Sequence, residues 1–275
     1  MASWLLLAAA STARFGIFEA GTFGPFIALA VFIVLVYVMI QMARAGAHMR
    51  QIHPLPGLDA LDEAIGRATE MGRPVLFIPG IADTRTPSTL SSFPILAHTA
   101  VQAARYDTRL LELNRSPIVY AICESITREA YLEAGRPDAY NPDDVRFLTD
   151  DQFGFTGGVF QTIEQEKPAA CIFYGSFAAE TMLITEVAAM AGAVQIAATD
   201  NSIQLPFFMA AADYTLIAEE MYAASAYISK DPVLTGTIVG EDLYKFLMFA
   251  LIVVGAVVAS VTGGHMAGFL SFFKL

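Results

Sequence analysis

Two cysteines, one tryptophan and four lysines are all that the 275 residues contain of those types. Cys123 and Cys171 lie far apart in apolar surroundings, in no CxxC and beside no histidine cluster. That pattern excludes a disulfide framework and a zinc site, and fits buried thiols in a reducing compartment. Sixteen basic residues face 27 acidic ones, a formal net charge of −11. An acidic surface repels phosphate backbones, so no nucleic acid partner is expected, and broad docking on anionic lipid is disfavoured. Recognisable catalytic signatures are also missing. There is no Walker loop, no GxGxxG, no GxSxG elbow and no ExxH spacing.

Apolar residues are abundant instead, at 55% of the chain with a mean hydropathy of +0.53. The stretch Pro25–Met42 (PFIALAVFIVLVYVMIQM) has no charge on any face. A helix of about 20 such residues crosses a bilayer, whereas a core helix normally keeps a polar side. Phe246–Val261 is likewise uncharged, and the run can extend to Gly268. The expected organisation is an interfacial segment (1–24), a transmembrane helix (25–43), a linker (44–57), a soluble domain (58–230), a linker (231–244) and a second transmembrane helix (245–270). Trp4, Phe15 and Phe18 suit the headgroup region, and removal of the first 13 residues by cleavage stays open. Arg44 and Arg50, with His48 and His53, follow the first span, and Lys245 precedes the second. The positive-inside rule then places the domain in the cytoplasm and both termini outside. The lipid bilayer is the first expected partner. Gly264-x-x-x-Gly268 is a small-xxx-small pattern that can pack two membrane helices.

Between the spans, short apolar runs alternate with amphipathic ones. Strands are expected at Pro74–Pro79, Arg109–Leu113, Val145–Leu148, Ala170–Tyr174 and Val194–Ala198. Helices are expected at Leu58–Met71, Pro94–Arg105, Pro117–Glu133, Gly157–Glu166, Ala178–Ala191 and Gln204–Ile228. Strands without polar alternation belong to a parallel sheet covered on both faces. The fold class expected is α/β: a doubly wound, mostly parallel, five-stranded Rossmann-like sheet inserted between two transmembrane helices.

Three strings in this region, AIGRATEMGRPVLF, SITREAYLEAGRPDAYNPDDVRFLTDDQF and DYTLIAEEMYAASAYISKDP, resemble a prokaryotic membrane-protein family recorded only as a domain of unknown function. The resemblance covers roughly residues 55–245. It implies a bacterial or archaeal membrane protein and carries no activity, ligand or catalytic residue with it.

In open parallel sheets, ligands bind beyond the carboxyl ends of the strands. Those ends offer Gly80, Asp83 and Thr84 after the first strand, Gly175, Ser176 and Glu180 after the fourth, and Thr199 and Asp200 after the fifth. The same residue types cap helices, which alone accounts for their presence. No catalytic or metal-binding residue can be named, and no cofactor. The stretch Gly154–Gly158 reads as a tight turn rather than a phosphate loop, with Asp150 and Asp151 opposing an anion. Glu180, Glu186, Asp213, Glu219 and Glu220 lie in apolar helices and need partners, for which Arg105, Arg109, Arg115 and Arg128 are available. Ala-rich helices interleaved with Met and Tyr suit subunit contacts. The leading functional reading is a membrane-anchored homo-oligomeric scaffold or assembly protein. The alternatives are a module binding a small, nucleotide-like ligand and, third, an enzyme using Asp83, Ser176, Glu180 or Asp200.

Overall fold

A computed structural model describes residues 23–46 and 56–261. The chain divides into two units. The first contains the helices α1 (Phe23–Arg44) and α9 (Pro232–Val261), and the second is an α/β body within residues 51–230.

In the α/β body the order is α2 (Pro56–Met71), β1 (Val75–Ile78), α3 (Pro87–Arg105), β2 (Leu110–Asn114), α4 (Pro117–Glu133), β3 (Val145–Phe147) and α5 (Gln152–Glu166). It continues through β4 (Ala170–Tyr174), α6 (Thr181–Met190), β5 (Val194–Thr199), α7 (Leu205–Ala211), β6 (Tyr214–Ile217) and α8 (Glu219–Ser229). The six strands are all parallel, in the order β3-β2-β1-β4-β5-β6. Every residue of β1, β2 and β4 is buried, as strands covered on both faces require. Alternate strand residues feed two cores. Val75, Phe77, Leu110, Ile172, Tyr174 and Ile196 pack with α2, α3, α4 and α8. Leu76, Ile78, Leu111, Leu113 and Phe173 pack with α5, α6 and α7.

Helix boundaries follow local chemistry. Pro87 and Pro117 open α3 and α4, where a missing N–H costs nothing and φ is already helical. Asp151 caps α5, its Oδ1 accepting the Gly154 N–H at 2.6 Å, and Lys167 closes it in the left-handed conformation.

Several sequence expectations are corrected here. The sheet has six strands, not five. The stretch Gln204–Ile228, expected to be mostly helix, is instead α7, β6 and α8, with Ala218 at φ +45° turning the chain between the last two. An apolar run of four residues does not distinguish strand from helix by periodicity, and docking beside β5 decides it. Helix α3 begins at Pro87 rather than Pro94, which sits inside it. The glycines 154, 157 and 158, expected in a tight turn, lie inside α5 because the Asp151 cap starts the helix ahead of them. Residues 232–244, expected as part of a linker, are helical and continuous with the uncharged run that follows.

Among the described residues one helix is long and apolar enough to cross a membrane. It covers Phe26–Arg44, with a hydropathy of 2.7 and none of that stretch buried. Of the second expected span, residues 246–261 form the C-terminal half of α9; the remainder, with Gly264 and Gly268, lies outside the described residues. The expected interfacial segment also lies outside them, apart from its last two residues. Within the helical unit, α1 and α9 approach closely through a different glycine pair. A Cβ on Gly236 would lie 2.7 Å from the Ile40 Cα, and one on Gly240 3.0 Å from the Val36 Cα. Phe32 and Tyr244 meet edge to face nearby, with centroids 5.0 Å apart. This is the small-xxx-small geometry that lets two helix backbones touch.

Candidate functional site

With the order 3-2-1-4-5-6, the sheet reverses its winding between β1 and β4, and the carboxyl ends of these two strands flank the switch point. The loops leaving them carry Gly80 and Gly175. Both have positive φ, +85° and +150°, a backbone state that glycine adopts without steric cost. A Cβ on Gly80 would sit 2.6 Å from the Ser176 carbonyl oxygen, and one on Gly175 would overlap the Pro79 carbonyl. The Ile81 N–H donates to the Ser176 oxygen at 2.9 Å. The two loops therefore lie backbone against backbone across the switch point.

The remaining strand-end residues fall into three small networks. Asp83 Oδ1 accepts from the Thr84 N–H at 2.9 Å and from the Ser116 hydroxyl at 3.1 Å, tying the end of β1 to that of β2. Arg115 reinforces the same junction, its guanidinium donating to the Ile81 carbonyl at 2.8 Å. Glu180 is buried; its Oε1 accepts the Ala178 N–H at 2.7 Å and its Oε2 the Gln152 side-chain amide at 2.6 Å. Asp200 accepts the Tyr222 hydroxyl at 2.8 Å. Burial first, then this hydrogen bond to a carboxylate, pushes the Tyr222 phenol well above its ordinary range. Thr199 accepts the Asn201 N–H, and the Asn201 amide donates to the Phe177 carbonyl, joining the ends of β5 and β4.

The structure thus brings Gly80, Gly175 and Ser176 into contact, and leaves Asp83 with Thr84, Glu180, and Asp200 in separate networks. The arginines expected as partners are distributed otherwise. Arg109 pairs with Asp144 at 2.6 Å and Glu166 at 2.8 Å, at the amino end of the sheet. Asp213 holds the Gln195 N–H and Glu220 the Ile217 N–H, so these two carboxylates bind backbone rather than arginine. Among the described residues no group of three or more His, Cys, Asp and Glu is placed to hold a metal ion.

The most deeply buried carboxyl was not among the sequence candidates. Glu112 lies in the middle of β2, fully buried beside Phe77 of β1 and Val145 of β3. Its oxygens accept from the Asn114 amide and the Thr127 hydroxyl, each at 3.1 Å, and the buried Cys123 thiol lies beside it. Among the described residues no cation joins the cluster, so burial outweighs these hydrogen bonds and raises the Glu112 pKa above the usual carboxylate range. A protonated carboxyl carries an O–H donor. Asn114 Oδ1, buried alongside, is an acceptor without a partner. The signal in the sequence is one charge inside an otherwise apolar strand, LLELN, with Cys123 and Thr127 four residues apart on the helix that follows.

A family match covers residues 13–270, most of the chain, and the family's description is Domain of unknown function (DUF6754). The chain belongs to this family. No curated protein and no solved structure matches it. In this DUF6754 member the switch-point loops, the three strand-end networks and the Glu112 cluster are accordingly read from their own chemistry.

Proposed function

We propose that the chain is a membrane-anchored assembly protein, a homo-oligomeric scaffold whose α/β body supplies contacts between subunits. The observation that carries this reading is the internal engagement of the strand-end carboxylates. Asp83 is held by Ser116 and the Thr84 N–H, Glu180 by Gln152 and the Ala178 N–H, and Asp200 by Tyr222. A carboxylate positioned by its own fold's donors does the work of a cap or a tie between loops. The closed backbone contact at Gly80 and Gly175 supports the same reading. Anchoring is supported by α1, whose apolar side chains are largely exposed and suited to lipid. In this reading the uncharged run that begins in α9 supplies a second span. The basic flank after α1 supports an orientation with the α/β body on the cytoplasmic side of a prokaryotic inner membrane.

The test is the mass of the full-length protein in mild detergent, measured by native mass spectrometry. A discrete oligomer with no additional small mass is expected. A monomer carrying a stoichiometric small molecule overturns the scaffold reading.

One observation favours the second reading, a module for a small nucleotide-like ligand. Ser88 Oγ and Thr89 Oγ1, in the first turn of the helix after β1, are buried without hydrogen-bond partners among the described residues. In sheets of this strand order that turn is where a phosphate is received. A rise in melting temperature with ATP or NAD, lost in Ser88→Ala/Thr89→Val, would favour this module over the scaffold.

A further inference from the structure

The outer side of the second helical layer is unusually apolar. On α6, Met182, Glu186, Ala189 and Met190 are exposed at the i, i+4, i+7, i+8 spacing of one helix face. Helix α7 packs beside α6 and exposes Phe207 and Met209, with Ile203 just before it and Ile217 on the neighbouring strand β6. Met190 is 81% and Ile203 73% exposed. Met182, Met190, Ile203, Phe207, Met209 and Ile217 together leave about 700 Å² of apolar surface open, taking about 200 Å² for a fully exposed large side chain. Monomeric proteins rarely expose a contiguous patch of more than a few hundred Å².

We propose that this α6–α7–β6 face is the seam on which a second copy of the chain docks. The inference rests on the assembly reading and names its partner and its surface. The area is the first argument, since a standard interface takes roughly 800 Å² from each partner. Charge is the second. Residues 168–229 contain no Lys or Arg, whereas surfaces that lie on membranes carry basic residues around their apolar face. The patch therefore suits a protein surface of its own kind better than a lipid headgroup layer. Tethering is the third. Copies held in one bilayer share a plane, which raises their effective concentration and lets a modest seam suffice.

The seam joins side chains rather than extending the sheet. Strand β6 is only four residues long, and Glu220 Oε2 takes the Ile217 N–H at 2.9 Å. A short strand with an occupied donor is a poor template for strand addition. Glu186 is the one ionisable side chain on the exposed side of α6, between Met182 and Met190, so the seam centres on α7.

The experiment compares the full-length protein in mild detergent with Met190→Glu/Ile203→Glu/Met209→Glu, by light scattering and native mass spectrometry. These side chains are largely exposed, so far-UV circular dichroism and melting temperature should be preserved. The variant's mass is expected to fall to that of a smaller species, with association at least tenfold weaker. A variant that keeps the wild-type mass overturns the seam and leaves the assembly reading standing; a wild type that is monomeric throughout overturns both. A second readout separates lipid from protein as occupant. With a polarity-sensitive fluorophore at Met209→Cys in phosphatidylglycerol vesicles, an emission shift that grows with copies per vesicle supports the seam. A full shift at one copy per vesicle overturns it in favour of the lipid surface.

Discussion

Replacing Glu112 with glutamine tests how a buried carboxyl without a cation sets the pH dependence of stability. The folded state raises the Glu112 pKa above 4.5, chiefly by burial. Well below pH 4.5 folded and unfolded chains both hold the proton, and the group contributes no pH dependence. Above 4.5 the unfolded chain releases its proton while the folded chain keeps it, so stability falls with rising pH. The slope approaches 2.303RT, about 1.4 kcal/mol per pH unit, until the buried carboxyl itself ionises. Each pH unit over which the folded chain keeps this proton removes about 1.4 kcal/mol, a sizeable part of a typical domain stability of about 5–15 kcal/mol. Glutamine has nearly the same shape, can still accept from Asn114 and does not ionise. Glu112→Gln should therefore lie within about 1 kcal/mol of wild type at pH 5, and exceed it as the pH rises from there. Urea unfolding of the full chain in detergent, followed by far-UV circular dichroism at pH 5, 6, 7 and 8, gives both curves. Every other titrating group is common to the two proteins, so the divergence isolates Glu112. Parallel curves would refute the reasoning and mean that the carboxylate is ionised in the folded protein.

Three further outcomes follow from the packing. Gly175→Ala would overlap the Pro79 carbonyl at positive φ, so a loss of about 3 kcal/mol or more is expected; a melting temperature within a degree or two of wild type would contradict the switch-point geometry. Gly236→Leu should separate α1 from α9, lowering the yield of a short bismaleimide cross-link between Phe32→Cys and Tyr244→Cys relative to the same pair with Gly236 in place. Cys123 and Cys171 are both buried, and burial pushes both thiols up. Neither should react with iodoacetamide at pH 8 until denaturant is added, as mass spectrometry of the intact protein would show.

How much of this was legible follows from which forces are local. Strands β1, β2, β4 and β5 could be read because an apolar run flanked by turn residues has only one comfortable place, the middle of a covered parallel sheet. Residues 214–217 could not be read, because YTLI joins two Ala-rich helical runs and only pairing with β5 makes it a strand. The strand-end residues were identifiable as a set, since the fold class fixes where strand ends point. Their grouping was not, because Ser116 reaching Asp83, Gln152 reaching Glu180 and Tyr222 reaching Asp200 join residues 22 to 33 positions apart. Glu112 escaped notice because its meaning depends on the absence of a cation around it, a property of three neighbouring elements rather than of LLELN.

By itself the sequence determined the class of the molecule: an uncharged apolar stretch at Pro25–Met42, and a body of buried parallel strands wrapped by helices. Composition and periodicity decide these, because burial of apolar area and the 3.6- and two-residue repeats act within a segment. The tertiary structure alone decided the sixth strand, the glycine contact that closes the switch point, the Gly236–Gly240 approach to α1 and the apolar face on α6 and α7. Each depends on which segments meet, and no single stretch of chain carries that information.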